Sequence, residues 1–219
     1  MSDTFVSARY RNAQPGETIA FGRYPQTAEG TDRTPIRWRV LHNSGGELLL
    51  FSERILDCRR YHRDYVDVTW RDCDLRQWLN HEFYHAAFDP AESNLVKTAL
   101  CTDNGENSPD TEDKVFLLGV SELTELTGLY GKEIRRAVGT DFAKVEKADG
   151  CRLYVYDKSV EADYLTIDGR RHGCSWWWLR TQLREQSRAA FVGTRASIRS
   201  YGRVNLPWYG VRPAISLSL

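Results

Sequence analysis

Short apolar runs separated by glycines and polar loops open the chain. Gly16-Glu17-Thr18-Ile19-Ala20-Phe21-Gly22 predicts a strand held between glycines, and residues 27–35 predict a loop. Ile36-Arg37-Trp38-Arg39-Val40 alternates apolar and polar, the period of a half-buried strand. Gly45-Gly46 reads as a turn, and Leu48-Leu49-Leu50-Phe51 as a continuous apolar strand, so the first 51 residues predict an antiparallel meander. The period then changes to helical. Leu75, Trp78, Leu79, Phe83 and Ala86 share one stripe of a helix from about Asp72 to Ala87. Asp89-Pro90-Ala91-Glu92 carries a cap, a first-turn proline and the matching glutamate of another helix.

Residues 103–113 predict a polar, acidic loop, Val115-Phe116-Leu117-Leu118 a strand, and Ser121 to Thr127 a short helix stopped by Gly128. Between Leu129 and Gly173 only Arg152-Leu153-Tyr154-Val155-Tyr156 has strand character. The tail gives three strand-like runs, Trp176 to Leu179, Ala189 to Val192 and Val211 to Leu217, joined by loops rich in Arg, Ser, Gly and Tyr. A strand through Trp176-Trp177-Trp178 points Trp177 opposite to its neighbours, which predicts at least one tryptophan in the core. The expectation is one α+β domain over 1–219, with an ordered core from about 16 and a binding subregion over 176–219.

Composition sharpens this in three places. With 41% hydrophobic and 12% aromatic residues, the chain can bury a core. No apolar run reaches the roughly 20 residues of a membrane span, and Met1-Ser2-Asp3-Thr4-Phe5 lacks the basic start and apolar stretch of a secretory signal. The five scattered cysteines show no metal-finger spacing. Together these predict a soluble, cytoplasmic chain with reduced, buried thiols and no cofactor. Net charge is zero but divided. From Trp176 to Leu219 there are seven Arg, no Lys and one acid, Glu185, so that segment carries +6 and the first 175 residues −6.

Four blocks stand in order: Phe21-Gly22-Arg23-Tyr24-Pro25-Gln26; Leu75-Arg76-Gln77-Trp78-Leu79-Asn80 with Glu82-Phe83-Tyr84; Asp113-Lys114-Val115-Phe116-Leu117-Leu118; and Trp177-Trp178-Leu179-Arg180 with Gly210-Val211-Arg212-Pro213-Ala214. The combination, from about Gly16 to Leu219, resembles a bacterial domain family of unknown function. That family resembles in turn the C-type-lectin-like fold, in the branch shared with formylglycine-generating enzymes. The resemblance implies a mixed, mostly antiparallel sheet with packed helices. It also implies a ligand-display role like that of the variable proteins of diversity-generating retroelements and phage tips. In those, the loops between a WLR-like strand and the last strand carry the binding residues; the interval here is Thr181 to Tyr209. It departs from such relatives in holding many Arg where they carry Ser, Asn and Gly. The enzyme branch needs a reactive cysteine pair near the end of the chain, and no cysteine follows Cys174.

Candidate chemistry is of three kinds. His81-Glu82-Phe83-Tyr84-His85 has the spacing of a zinc site, with His81 and His85 as ligands and Glu82 as base. With Leu75 at zero and about 100° per residue, Glu82 falls near 340°, inside the apolar stripe, and the histidines near 240° and 280°, on its flank. Zinc catalysis needs a third ligand, which the sequence does not supply. The competing reading is a structural helix whose Glu82 accepts buried hydrogen bonds. The acidic loop Asp103-Asn104-Gly105-Glu106-Asn107-Ser108-Pro109-Asp110 carries oxygens that could hold calcium, but it has neither EF-hand spacing nor a lectin-type Glu-Pro-Asn or Gln-Pro-Asp triplet, and the competing reading is a solvated loop.

The third candidate is the tail: Arg180, Arg188, Arg195, Arg199, Tyr201, Arg203, Asn205, Trp208 and Tyr209, with Arg184 and Glu185 at its rim. Planar guanidiniums bind carboxylates and phosphates, and aromatic rings give stiff contact area. This predicts a non-catalytic module that binds a protein or small molecule. The rival is internal pairing of these Arg with acids such as Asp110, Glu112 and Asp113. Interleaved basic and aromatic residues also suit nucleic acid, which steep salt dependence of binding would reveal. Overall neutrality and the lack of Lys in the tail argue against it.

Overall fold

The computed structural model describes residues 10–219; the Met1–Phe5 run, read above as lacking an export signal, lies outside them. The predicted meander is present as β1 (Thr18–Tyr24), β2 (Thr34–Ser44) and β3 (Glu47–Ser52), each pair antiparallel. Ile36, Trp38 and Val40 point inward, as their alternation requires. A two-residue strand, β4 (Asp57–Cys58), follows.

The predicted helix over 72–87 is interrupted. It runs as α1 (Asp74–Trp78), a π-helical turn (Leu79–Phe83) and α2 (Tyr84–Ala87). A wider turn absorbs extra backbone and displaces the stripe, so Ala87 is buried where regular α geometry predicts Ala86. Glu82 is consequently exposed, which corrects the expectation of a buried acceptor. α3 (Pro90–Leu95) starts at the predicted capping box: Asp89 accepts from Glu92 N and Glu92 accepts from Asp89 N. Glu92 also accepts from Gly22 N at 3.0 Å, tying this cap to β1.

After the short strands β5 (Val96–Lys97), β6 (Ala99–Cys101), β7 (Thr111–Asp113) and β8 (Val115–Phe116), α4 spans Val120–Tyr130. It passes through Gly128 and ends at Gly131, whose φ of 77° suits a glycine stop, so the predicted end was three residues early. α5 (Asp141–Lys144) and the hairpin β9 (Tyr164–Ile167)–β10 (Arg170–Gly173) fill the stretch that the sequence left unread. Arg152 to Tyr156 is not a full strand; Val155 makes an isolated bridge to Ser175.

The tail supplies β11 (Trp177–Gln182), β12 (Arg188–Val192), β13 (Ile198–Arg203), β14 (Gly210–Val211) and β15 (Ala214–Ser218). Two differences matter. β13 was expected as loop: it is an edge strand whose exposed, charged positions give no apolar run to read. The single strand expected over Val211 to Leu217 is split at Arg212-Pro213, where proline has no N–H for a ladder.

The split divides the chain between two sheets. One has the order β1-β2-β3-β15-β5, with β8 also on β15; the other is β13-β12-β11-β14-β4. All these pairings are antiparallel except β11–β14. The protein is thus a mixed α/β structure with mostly antiparallel, curled sheets and short helices. One connected apolar cluster joins them, from Trp38, Leu50 and Phe51 of the first sheet to Trp177, Trp178 and Val211 of the second. No helix among the described residues is long and apolar enough to cross a membrane.

Arg180 sits wholly inside this core. It donates to Glu122 through both terminal nitrogens, at 2.6 and 2.5 Å, and to Asn104 Oδ1 and the Leu117 carbonyl at 2.9 and 2.7 Å. Asn104 itself is buried and donates to Cys101 and Pro109, so the acidic loop is anchored to the core at this point and is not simply solvated. Removing one partner of a buried pair costs about 3–5 kcal/mol. Arg180→Met is expected to lower unfolding free energy by about that amount in denaturant titration, because Asn104 Oδ1 and the Leu117 carbonyl lose their donor. Glu122→Gln is expected to cost a comparable amount, because it leaves the buried Arg180 cation without its carboxylate.

Candidate functional site

The alternation predicted for the tryptophans holds. Trp177 turns toward the first sheet, 5.7 Å from Phe51, while Trp176 and Trp178 turn the other way, toward Tyr209. Tyr209 stacks on Trp178 at 3.9 Å and meets Phe191 of β12 edge-on at 4.8 Å. Tyr154 stacks on Trp176 at 4.0 Å, and Tyr201 of β13 stands edge-on to Phe191 at 5.4 Å. Each such ring pair contributes about 0.5–1.5 kcal/mol beyond area burial. Gly202 lets β13 lie this close: a Cβ there would fall 2.6 Å from Trp178 and 3.0 Å from Phe191.

These rings wall a cleft of about 370 Å³, whose polar rim is Asp163, Thr194, Arg195, Ser197 and Arg199. Asp163 is buried and accepts from Thr194 Oγ1 and from Arg195 Nε, the latter at 2.7 Å. Burial pushes its carboxyl up, but hydrogen bonds from Thr194 and Arg195, with the Arg195 charge, outweigh it and leave the pKa below the usual carboxylate value. Burial raises Tyr209 to about 12. Arg199 differs from Arg195. Its Nε donates to Ser197 Oγ at 3.0 Å, and its terminal nitrogens have no partner among the described residues.

The sequence-predicted face is therefore brought together only in part. Arg195, Arg199, Tyr201 and Tyr209 line the cleft. Arg180 does not: it belongs to the core, a correction forced by its complete burial. Arg188 is held by Glu185 at 2.8 Å and the Tyr201 carbonyl. Arg203 lies over the Tyr65 ring at 4.0 Å, and the Asn205 carbonyl holds Arg60 at 3.0 Å. Trp208 is exposed, and its carbonyl accepts from Tyr154 N at 2.9 Å. Arg184 and Glu185 are exposed. The rival pairing holds for two of these Arg, with other acids than those named: Arg180 pairs with Glu122 and Arg195 with Asp163, both in the acidic first part of the chain, while Arg188 pairs with Glu185 and Asp113 with Arg76. Tyr154, Tyr156, Asp163, Trp176 and Phe191 were missed as cleft residues. The alternation of Tyr154 and Tyr156 was visible, but the long-range contact bringing them to the tail was not.

The zinc candidates His81 and His85 are exposed on the interrupted helix, and Glu82 no longer brackets a buried face. Among the described residues no group of three or more His, Cys, Asp or Glu is placed to hold a metal. All five cysteines are buried free thiols, and burial raises the Cys174 pKa.

The fold and cleft define a mixed α/β protein with an aromatic-walled trough against one edge of its second sheet. The chain belongs to the family described as a domain of unknown function (DUF6273), whose family model matches residues 45–219. That span contains the blocks from Leu75 onward and leaves out Phe21–Gln26. No curated protein and no solved structure is significantly similar to the chain.

Asp163 titrates lower folded than unfolded, so it stabilises the fold above its unfolded value of about 3.9, and the gain is lost as pH falls through its folded value. Asp163→Asn is accordingly expected to lower the melting temperature at pH 7, by a difference from the parent that shrinks as pH falls below the usual carboxylate value, as followed by circular dichroism.

Proposed function

We propose that this chain is a binding module, and that the cleft lined by Trp176, Phe191, Arg199, Tyr201 and Tyr209 is its recognition site. The observation that carries the reading is Arg199: a guanidinium with partnerless terminal nitrogens on the rim of a trough of rings. A planar ring bearing a carboxylate or phosphate suits it, either a small molecule or a side chain of a partner protein. The ring stacks in the trough, and the fixed cation takes the oxyanion through a planar fork. Asp163 and Tyr209 titrate on opposite sides of neutrality, which favours holding a ligand by shape and fixed charge over exchanging protons with it.

At finer grain, the fold is proposed as C-type-lectin-like and the site as of the display type. In support, eight of the twelve cleft residues lie between Thr181 and Tyr209, the interval where such relatives carry binding residues. The return of β15 into the first sheet beside β3 fits the same architecture. Nucleic acid is disfavoured by the disposition of the seven tail Arg: Arg180 and Arg212 are buried, and Arg188 and Arg195 are neutralised by acids.

Titration with benzoate, phenol and inorganic phosphate tests this, read by tryptophan fluorescence and NMR shifts. Benzoate is expected to perturb the cleft and to bind better than either half-probe. Arg199→Ala is expected to weaken it about tenfold, the factor that goes with 1.4 kcal/mol. Arg199→Ala with Arg203→Ala should leave the melting temperature nearly unchanged, since neither residue has a carboxylate partner among the described residues. Benzoate binding indifferent to Arg199, or a double variant melting several degrees early, would make these residues structural and the assignment wrong.

A further inference from the structure

At the opposite edge of the second sheet, beside β4, two adjoining clefts of about 410 and 330 Å³ share Arg59 and Asp149 in their walls. Eight charged side chains line them, four of each sign, and seven have an oppositely charged partner within the protein. Lys147 lies 3.3 Å from Asp57, whose carboxylate also accepts from Tyr24 and from Cys58 N, each at 2.8 Å. Arg63 and Asp74 form a forked pair at 2.9 and 3.1 Å. Arg60 meets Asp149 at 3.5 Å and the Asp149 carbonyl at 2.9 Å.

Glu82 remains without a partner, and Arg59 is the most loosely paired of the cations. The Arg59 guanidinium is laid over the Trp78 ring at 4.0 Å, and its terminal nitrogens have no partner among the described residues. The closest carboxylate oxygen, on Asp57, is 3.7 Å from its Nε and is already held by Tyr24. Glu82 is exposed and has no hydrogen bond or ion pair among the described residues. The π turn leaves it exposed beside Trp78, where a regular α-helix would carry it onto the apolar stripe. A helical irregularity that moves a carboxylate off the core face and into a cleft beside a guanidinium with free terminal nitrogens is a local departure of the kind expected at a site.

We propose that the Arg59–Glu82 cleft is a second binding site, for a small zwitterion that carries a carboxylate and an ammonium, such as an amino acid or a short peptide. Arg59, pre-set by its stacking on Trp78, takes the carboxylate through its planar fork, and Glu82 takes the ammonium. Inorganic phosphate is a poorer fit, because it leaves the unpaired Glu82 carboxylate without a cation and sets a further negative charge beside it.

The test is a titration of the full chain followed on its arginine side-chain N–H signals, with Arg59 assigned through Arg59→Lys. The probes are glycine, γ-aminobutyrate and triglycine, which vary the spacing of the two charges, against acetate, methylamine and inorganic phosphate. At least one zwitterion is expected to shift the Arg59 signal and to bind about tenfold tighter than acetate or phosphate. Glu82→Gln, at an exposed position that does not threaten the fold, is expected to bring that zwitterion down to the level of acetate. Arg199→Ala should leave it unchanged, which separates this site from the aromatic cleft. If no zwitterion exceeds acetate, if phosphate binds best, or if Glu82→Gln leaves the preference intact, the proposal fails.

Discussion

Burial of the Arg180 guanidinium is the constraint on which much else in this structure depends. A buried cation without partners is prohibitive, so every surrounding element must arrive with an acceptor. α4 brings Glu122, the 103–113 segment brings Asn104, and residue 117 brings a carbonyl. The Arg180 carbonyl in turn accepts from Tyr61 at 2.7 Å, which fixes the ring that packs on Trp178. One side chain thereby sets the register of β11, and β11 presents the aromatic wall. An apolar residue of similar size would fill the space, but it would leave Asn104 and Glu122 free to choose other arrangements.

Arg212 plays a related part between the sheets. It lies 3.9 Å over Phe51 and donates to the carbonyls of Ser52 and Ile134, at 2.8 and 2.7 Å, with burial pulling its pKa down. It stands where the chain leaves β14 and enters β15. Pro213 interrupts the ladder there, while its carbonyl still accepts from Ser52 N at 3.0 Å. The crossing is thus held by backbone carbonyls and rings in place of strand pairing. The last ten residues consequently belong to both sheets, and the cleft-bearing sheet is bound to the N-terminal meander.

These dependencies explain what the sequence disclosed. The meander, the capping box at Asp89 and the alternation of the tryptophans are local patterns, and local rules suffice for them. The end of α4 failed by three residues because Gly128, open to solvent, is tolerated within a helix while Gly131 takes the positive φ. β13 was hidden because an edge strand under solvent carries charge in place of apolar period. Part of the aromatic cleft was legible as composition, namely Arg195, Arg199, Tyr201 and Tyr209. Tyr154, Tyr156 and Asp163 are joined to the tail by long-range contacts that no spacing records. Arg180 and Arg212 were indistinguishable from surface arginines by type alone; only the acceptors around them separate the roles.

The two clefts rest against one stiff wall. Tyr209 lines the aromatic cleft, and its carbonyl accepts from Arg59 N at 3.1 Å; the Arg59 carbonyl accepts from Trp178 Nε1 at 3.0 Å. Neighbouring sites are coupled when an element between them has two arrangements that both ligands can bias. Here the intervening element is a buried tyrosine stacked on a buried tryptophan whose only polar atom is already bonded. Turning either ring would open a void in close-packed core and strand the indole N–H, which costs more than a weakly held small ligand can supply. The wall would therefore not relay between the two clefts, which lie at opposite edges of the second sheet, and the two proposed sites are expected to act independently.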